Sequence, residues 1–169
     1  MTSARSSSLQ IVALIGGSFL SGFMVSIWYF TIPLVLGTDQ SSAQKLRQFA
    51  ALYDLGTDVM PPASIALTSL YGFIAYRRHA QKKSYIRYMI AGALSLSMIP
   101  YTILFVFPIN NQLFELADRV RNGTGPKAIE LDNVNMLLAT WNRKHLIRSF
   151  GPLFGAMTGF SAFLRELGA

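Results

Sequence analysis

Thirty-three consecutive residues, from Ser6 to Thr38, carry no charged side chain (SSSLQIVALIGGSFLSGFMVSIWYFTIPLVLGT). A hydrocarbon layer about 30 Å thick is crossed by roughly 20 helical residues, so this run is long enough to span a membrane. Three more uncharged runs follow: Val59–Tyr76, Tyr88–Phe114 and Ser149–Leu164. Together they predict an all-α integral membrane protein. The expected architecture is a four-helix bundle, up-down-up-down, in one domain over residues 1–169, with spans at about 9–36, 61–76, 88–107 and 145–164.

The composition agrees with that reading. Hydrophobic residues make up 51% of the chain and charged residues 14%. The net charge of +7 would suggest nucleic acid in a soluble protein; here it reflects charge asymmetry across a bilayer, and no nucleic-acid partner is expected. The chain has no cysteine, which excludes disulfides, thiolate metal or haem ligation and CxxC redox chemistry. The N-terminal MTSARSSS faintly resembles a targeting segment. The apolar run behind it exceeds the 7–15 residues of a signal core, so a retained first span acting as its own signal anchor is expected.

Segment Asp39–Asp58 is amphipathic, with Leu46, Phe49, Ala50 and Tyr53 at helical spacing, and predicts a short interfacial helix after the first span. Pro61-Pro62 would open span two, since the first helical turn tolerates proline. Pro100 predicts a kink in span three, and Pro108 its end. Ser18, Gly22 and Ser26 repeat at every fourth position, as do Gly151, Gly155 and Gly159; such small-residue stripes let membrane helices approach closely. Asn122-Gly-Thr-Gly-Pro126 signals a turn.

Basic residues crowd the short second loop (Arg77, Arg78, Lys82, Lys83, Arg87), which predicts both termini on the cytosolic side. The sequon Asn122-Gly-Thr124 then falls on the lumenal or exterior side, where Asn122 is a candidate glycosylation site. In a eukaryote the expected location is the endomembrane system, the endoplasmic reticulum. The oligomeric state stays open between monomer and homo-oligomer.

Chemistry-bearing residues gather at one end. Trp141, His145 and Arg148 stand at i, i+4 and i+7, on one helix face, where span four begins. Pro108-Ile-Asn110-Asn111 leaves span three on the same side, and Tyr53, Asp54 and Asp58 precede span two there. Taken singly, Trp141 and Arg148 read as interfacial anchors, His145 as a hydrogen-bonded interfacial residue, and Asn110 and Asn111 as turn or cap residues. Taken together they read as a pocket, because polar groups near bilayer depth are costly unless buried against partners. No metal site is expected: His79, the other histidine, lies in the basic loop at the opposite face, so neither a two-histidine metal site nor bis-histidine haem is available. P-loops, dinucleotide fingerprints and a GxSxG elbow are absent.

The motifs Tyr53-Asp-Leu-Gly56, Pro61-Pro62, Pro108-Ile-Asn110-Asn111 and Trp141/His145/Arg148, in that order along the chain, resemble the small tetraspan anthrone oxygenase family. That family was first noticed as a domain of unknown function and occurs in fungal polyketide gene clusters and in bacteria. The resemblance covers essentially the whole chain. It implies oxidation of a polyketide anthrone to an anthraquinone by molecular oxygen, without metal or flavin cofactor.

The residues suit such chemistry. An anthrone has an acidic methylene whose anion is electron-rich enough to reduce oxygen. A protein assists with a base, oxyanion donors and a water-poor aromatic pocket. His145 is the expected base; Arg148, Asn110 and Asn111 are the expected donors to the oxyanion or peroxide; Trp141 and Tyr53 would stack on a flat substrate entering from the bilayer. The alternatives are a non-enzymatic tetraspan scaffold or lipid-binding protein, and a small transporter, although the lack of charge within the spans counts against ion coupling.

Overall fold

Four long helical rods account for nearly all of residues 2–123 and 131–167, the residues described by the computed structural model. Rod one is α1 (Thr2–Ser26), a widened turn (Ile27–Thr31) and α2 (Ile32–Gly37). Rod two is α3 (Ser42–Ala80). Rod three is α4 (Ile86–Leu96), α5 (Met98–Tyr101), a second widened turn (Thr102–Val106) and α6 (Phe107–Arg121). Rod four is α7 (Leu131–Leu167).

Side-chain contacts fix the directions of the rods. At one end Glu166, late in α7, meets Gln10 of α1, Arg78 near the end of α3 and Tyr88 at the start of α4. At the other end Lys45, early in α3, donates to Leu36 O of α2 (3.2 Å) and to Asn135 Oδ1 of α7 (3.0 Å). Successive rods therefore run antiparallel. Lys45 is 2% exposed, and its ammonium sits at the C-terminal end of rod one, where unpaired carbonyls favour a cation.

Among the described residues, Ser8–Gly37, Ser42–Ala80 and Ile86–Arg121 are long and apolar enough to cross a membrane, by length and composition. The uncharged part of α7, Ser149–Leu164, is shorter and glycine-rich. Large apolar side chains face outward around the bundle; Phe19, Phe30, Leu34, Tyr76 and Leu104 are each 66–76% exposed. Contiguous exposure of that kind suits contact with lipid, not water.

Helix boundaries differ from the sequence-based expectation in two places. The segment expected as a separate interfacial helix is continuous with span two in the single 39-residue α3, whose first turn is capped by the Ser41 side chain accepting from Gln44 N–H. Pro61 and Pro62 consequently lie inside a helix instead of opening one. Proline there removes the amides that Thr57 O and Asp58 O would receive, and packing on both sides carries the helix through. Likewise Pro108 does not end rod three, which continues to Arg121 beyond the widened turn. The turn expected at residues 122–126 lies mostly outside the described residues: Asn122 is an exposed C-cap of α6, and Thr124 of the sequon is not described.

The two small-residue stripes have different fates. Gly151 and Gly155 of α7 lie hard against α4: a Cβ added at Gly155 would come within 2.7 Å of Ala91 O, and one at Gly151 within 2.9 Å of Leu94 O. Gly159 meets the Tyr71 ring of α3. Ser18 and Gly22 instead face outward, while Gly17 and Ser21 on the next face make the contact with α7, Ser21 Oγ donating to Ser149 O at 2.8 Å.

The Glu166 end is a polar knot through all four rods. Arg78, 7% exposed, pairs with Glu166 at 2.5 Å, donates to Ser84 O at 2.6 Å and stacks on the Tyr88 ring. Removing one member of a largely buried ion pair strands the other. Glu166→Ala should therefore lower the unfolding free energy of the detergent-solubilised protein by about 3 kcal/mol, read as an earlier loss of helix signal on heating. Glu115→Ala, which removes an exposed pair with Arg119 on α6, should change it by less than about 0.5 kcal/mol.

Candidate active site

The polar face of α7 is received by two places where rod one and rod three stop being regular helix. In rod one Ile32 N–H bonds to Ile27 O, one residue further back than in an α-helix. The next residue, Pro33, has no N–H. Trp28 O is thereby left without either its usual amide or the following one, and accepts Asn142 Nδ2 of α7 at 3.1 Å. Rod three has the same widened turn before Pro108, with Phe107 N–H on Thr102 O; the carbonyl passed over there is that of Ile103, and Lys144 Nζ donates to the nearby Phe105 O at 2.9 Å. Widened turns of this kind cluster at functional sites.

Between those two anchors lies His145, fully buried. Its Nε2 is 2.9 Å from Met24 O; a carbonyl only accepts, so Nε2 carries the proton and Nδ1 is the acceptor. Arg148 Nε and Nη2 both converge on that Nδ1, at 3.2 and 2.8 Å, while Nη1 donates to Thr102 Oγ1 at 3.0 Å. Trp141 stacks on the imidazole with ring centroids 4.7 Å apart, and the Arg148 guanidinium lies 5.7 Å from the Trp141 ring. Behind them Asn110, 2% exposed, accepts Trp141 Nε1–H on Oδ1 at 2.8 Å. Asn110, Trp141, His145 and Arg148 thus form one continuous chain of contacts across rods three and four, pinned to rod one through Met24.

A cleft of about 230 Å³ opens in front of this chain. Trp141, His145 and Arg148 form its α7 wall, and Tyr53, Gly56 and Met60 form its α3 wall. Met98, Thr102 and Phe107 close it from rod three, and Ile27 from rod one. Its aromatic wall residues are held from behind: Tyr53 meets Phe114 edge-on at 4.9 Å, and Trp141 meets the buried Phe49 edge-on at 5.4 Å. The arrangement offers a flat, apolar slot with one guanidinium at its wall. Five N–H groups belong to that guanidinium; three of them are engaged by His145 and Thr102.

The family model for anthrone oxygenase matches residues 49–158, the stretch that contains the α3, rod-three and α7 walls of the cleft. The chain belongs to the anthrone oxygenase family. An Aspergillus fumigatus protein named anthrone oxygenase tpcL is 38% identical over 157 residues, which cover 93% of this chain and 94% of that one. An anthrone oxygenase of Paecilomyces divaricatus is 39% identical, covering 90% and 93%. A noranthrone monooxygenase of Aspergillus flavus is 29% identical, covering 89% and 70%. No solved structure matches the chain.

Of the site residues expected for an anthrone oxygenase from the sequence, the structure gathers Tyr53, Trp141, His145 and Arg148 at the cleft. Asn110 stands one layer behind, holding Trp141. Asn111 does not join them: the next position on a helix points about 100° away, and its side chain is exposed and outside the cleft lining. Asp54 and Asp58 are exposed as well. Thr102, the second partner of Arg148, went unnoticed as one hydroxyl within an apolar run. Met60, Met98 and Phe107 have no sequence signal separating them from any buried apolar residue.

The two asparagines make a paired test. Asn110→Ala strands the buried Trp141 N–H, which costs about 1–3 kcal/mol, and should lower the melting temperature and shift tryptophan emission. Asn111→Ala should stay within about 0.5 kcal/mol of the parent, as exposed substitutions do.

Proposed function

We propose that this protein is a membrane-embedded anthrone oxygenase that takes a planar polycyclic anthrone from the bilayer into the cleft and oxidises it to the anthraquinone with molecular oxygen. The carrying observation is the placement of the Trp141–His145–Arg148 chain at the wall of a slot otherwise lined by apolar and aromatic groups, in a chain of this family. The reaction balances as anthrone plus O₂ giving anthraquinone plus water. The methylene loses a proton, the anion gives an electron to oxygen, the two radicals combine at that carbon as a peroxide anion, which takes the proton back, and loss of water from the hydroperoxide leaves the second carbonyl. We infer no need for a resident metal or flavin, since the substrate anion itself is the reductant.

Within this scheme Arg148 is the electrostatic centre. An N–H donor aimed at developing negative charge in a water-poor site stabilises it far more than in water. Arg148 stabilises the anion of the substrate carbonyl and thereby makes the methylene more acidic. His145 has both nitrogens hydrogen-bonded, so it serves as base once Arg148 turns its N–H edge from Nδ1 to the substrate oxygen. Catalytic hydrogen bonds commonly take their working geometry only in the complex with substrate. Trp141 and Tyr53 would stack on the ring system. The exposed Ile103 and Phe107, beside the cleft, would face the incoming apolar substrate.

The surrounding topology is part of the proposal: α7 crosses the membrane as a fourth span, both termini are cytosolic, the cleft lies toward the lumenal side of the endoplasmic reticulum membrane, and Asn122 is glycosylated there. Tags at the two ends should be accessible from the same face, and Asn122→Gln should remove any endoglycosidase-sensitive mass.

Turnover should be measured as quinone formed, against a no-enzyme control because anthrones oxidise slowly unaided. Arg148→Ala should lose about 10²–10³-fold in kcat. His145→Ala and His145→Gln should both lose about 10²–10⁴-fold if His145 takes the proton. Gln can still accept from Arg148 and donate to Met24 O, so parent-like turnover in His145→Gln would reduce His145 to holding Arg148 in place.

A further inference from the structure

Gly56 lies inside α3, where glycine is the poorest helix former after proline. Several helix-interior glycines have a steric reason: Gly151 and Gly155 lie hard against backbone carbonyls of α4 and Gly17 against Pro152 O, whereas Gly22 and Gly72 meet nothing within 4 Å. Gly56 has no steric reason either. A Cβ added there would meet only the flexible end of Met60, at 3.7 and 3.9 Å, which is ordinary contact, and its backbone is ordinary helix without a positive φ. What Gly56 does border is the cleft, one turn beyond Tyr53 and one turn before Met60 on the wall facing Trp141 and Arg148.

The cleft is small, about 230 Å³ against the ~300–1,000 Å³ of ordinary small-molecule sites, so one added side chain removes a sizeable share of it. A side chain at position 56 would enter between Tyr53 and Met60, over a strip of wall that only the flexible end of Met60 touches. We infer that Gly56 is a specificity-determining residue: its missing side chain leaves a flat strip of α3 against which a planar substrate lies, and it thereby sets how many fused rings the cleft admits. The ligand class rests on the anthrone reading above; the free space at Gly56 does not.

The test uses the full chain in nanodiscs, with 9,10-anthraquinone and 1,4-naphthoquinone as three-ring and two-ring probes that bind without turnover, read by quenching of tryptophan fluorescence. Gly56→Ala should raise the melting temperature, because alanine is the better helix former, and should weaken anthraquinone binding about tenfold. Gly56→Leu should abolish anthraquinone binding while leaving naphthoquinone within about threefold of the parent. Anthraquinone binding unchanged in Gly56→Leu overturns the inference. If Gly56→Leu does not insert, Gly56→Ala decides alone: unchanged binding, or a lowered melting temperature that assigns the glycine to packing, overturns it. Parent protein that shows the Gly56 dependence yet leaves anthrone at the no-enzyme rate would uphold the role of Gly56 and overturn the oxygenase reading. Gly56→Leu that oxidises anthrone at the parent rate would do the reverse.

Discussion

A guanidinium among apolar helices must have its N–H groups satisfied, and the centre of this bundle is organised around that requirement. Charged groups buried among apolar helices are tolerated where they are paired or face a cavity. Arg148 has both: His145 and Thr102 as acceptors, and the cleft. Meeting its needs creates further ones, because the imidazole that accepts from Arg148 must send its remaining N–H elsewhere. Met24 O receives it, and stacking on Trp141, itself tied to Asn110, fixes the ring plane. The result is a polar spine in which each residue is oriented by the next.

Prolines supply part of the complement to that spine. Pro33 and Pro108 widen the turns before them, and the carbonyl freed in rod one receives Asn142. The same residue type that interrupts helical hydrogen bonding thus provides acceptors to the helix bearing the polar face. On α3 the paired prolines act differently, leaving Thr57 O without an amide beside the cleft, since Pro61 lines it.

Much of this was legible in the sequence, and the failures have physical causes. The uncharged runs identified the apolar rods, and the i, i+4, i+7 spacing put Trp141, His145 and Arg148 together, because helical periodicity is a local property. Pro61-Pro62 and Pro108 misled as boundaries because the cost of a proline inside a helix, about 3 kcal/mol, is overcome by tertiary packing that no local signal reveals. Asn110 and Asn111 are equivalent as letters; only the rotation of α6 decides which one faces Trp141. Ser18-Gly22-Ser26 and the Gly17-Ser21 pair are both plausible packing edges, and their registers differ by one residue, so the sequence alone could not choose between them. Gly56 appears in the sequence as part of a motif; the empty space that gives it meaning belongs to the assembled cleft.

The way α3 meets rod three has a mechanical consequence. Ser64 and Thr68 fasten the two with hydrogen bonds to Ser95 O and Gly92 O at 2.7 and 3.2 Å, and the Glu166 knot secures them further along. At the cleft end the same pair meet through the Tyr53 and Phe114 rings, edge to face. Rings slide and tilt at little cost, whereas a buried hydrogen bond resists separation. Near one end the two rods are held by directed hydrogen bonds, and at the other by apolar packing alone, with Leu46 and Phe49 of α3 buried against Leu113 of α6.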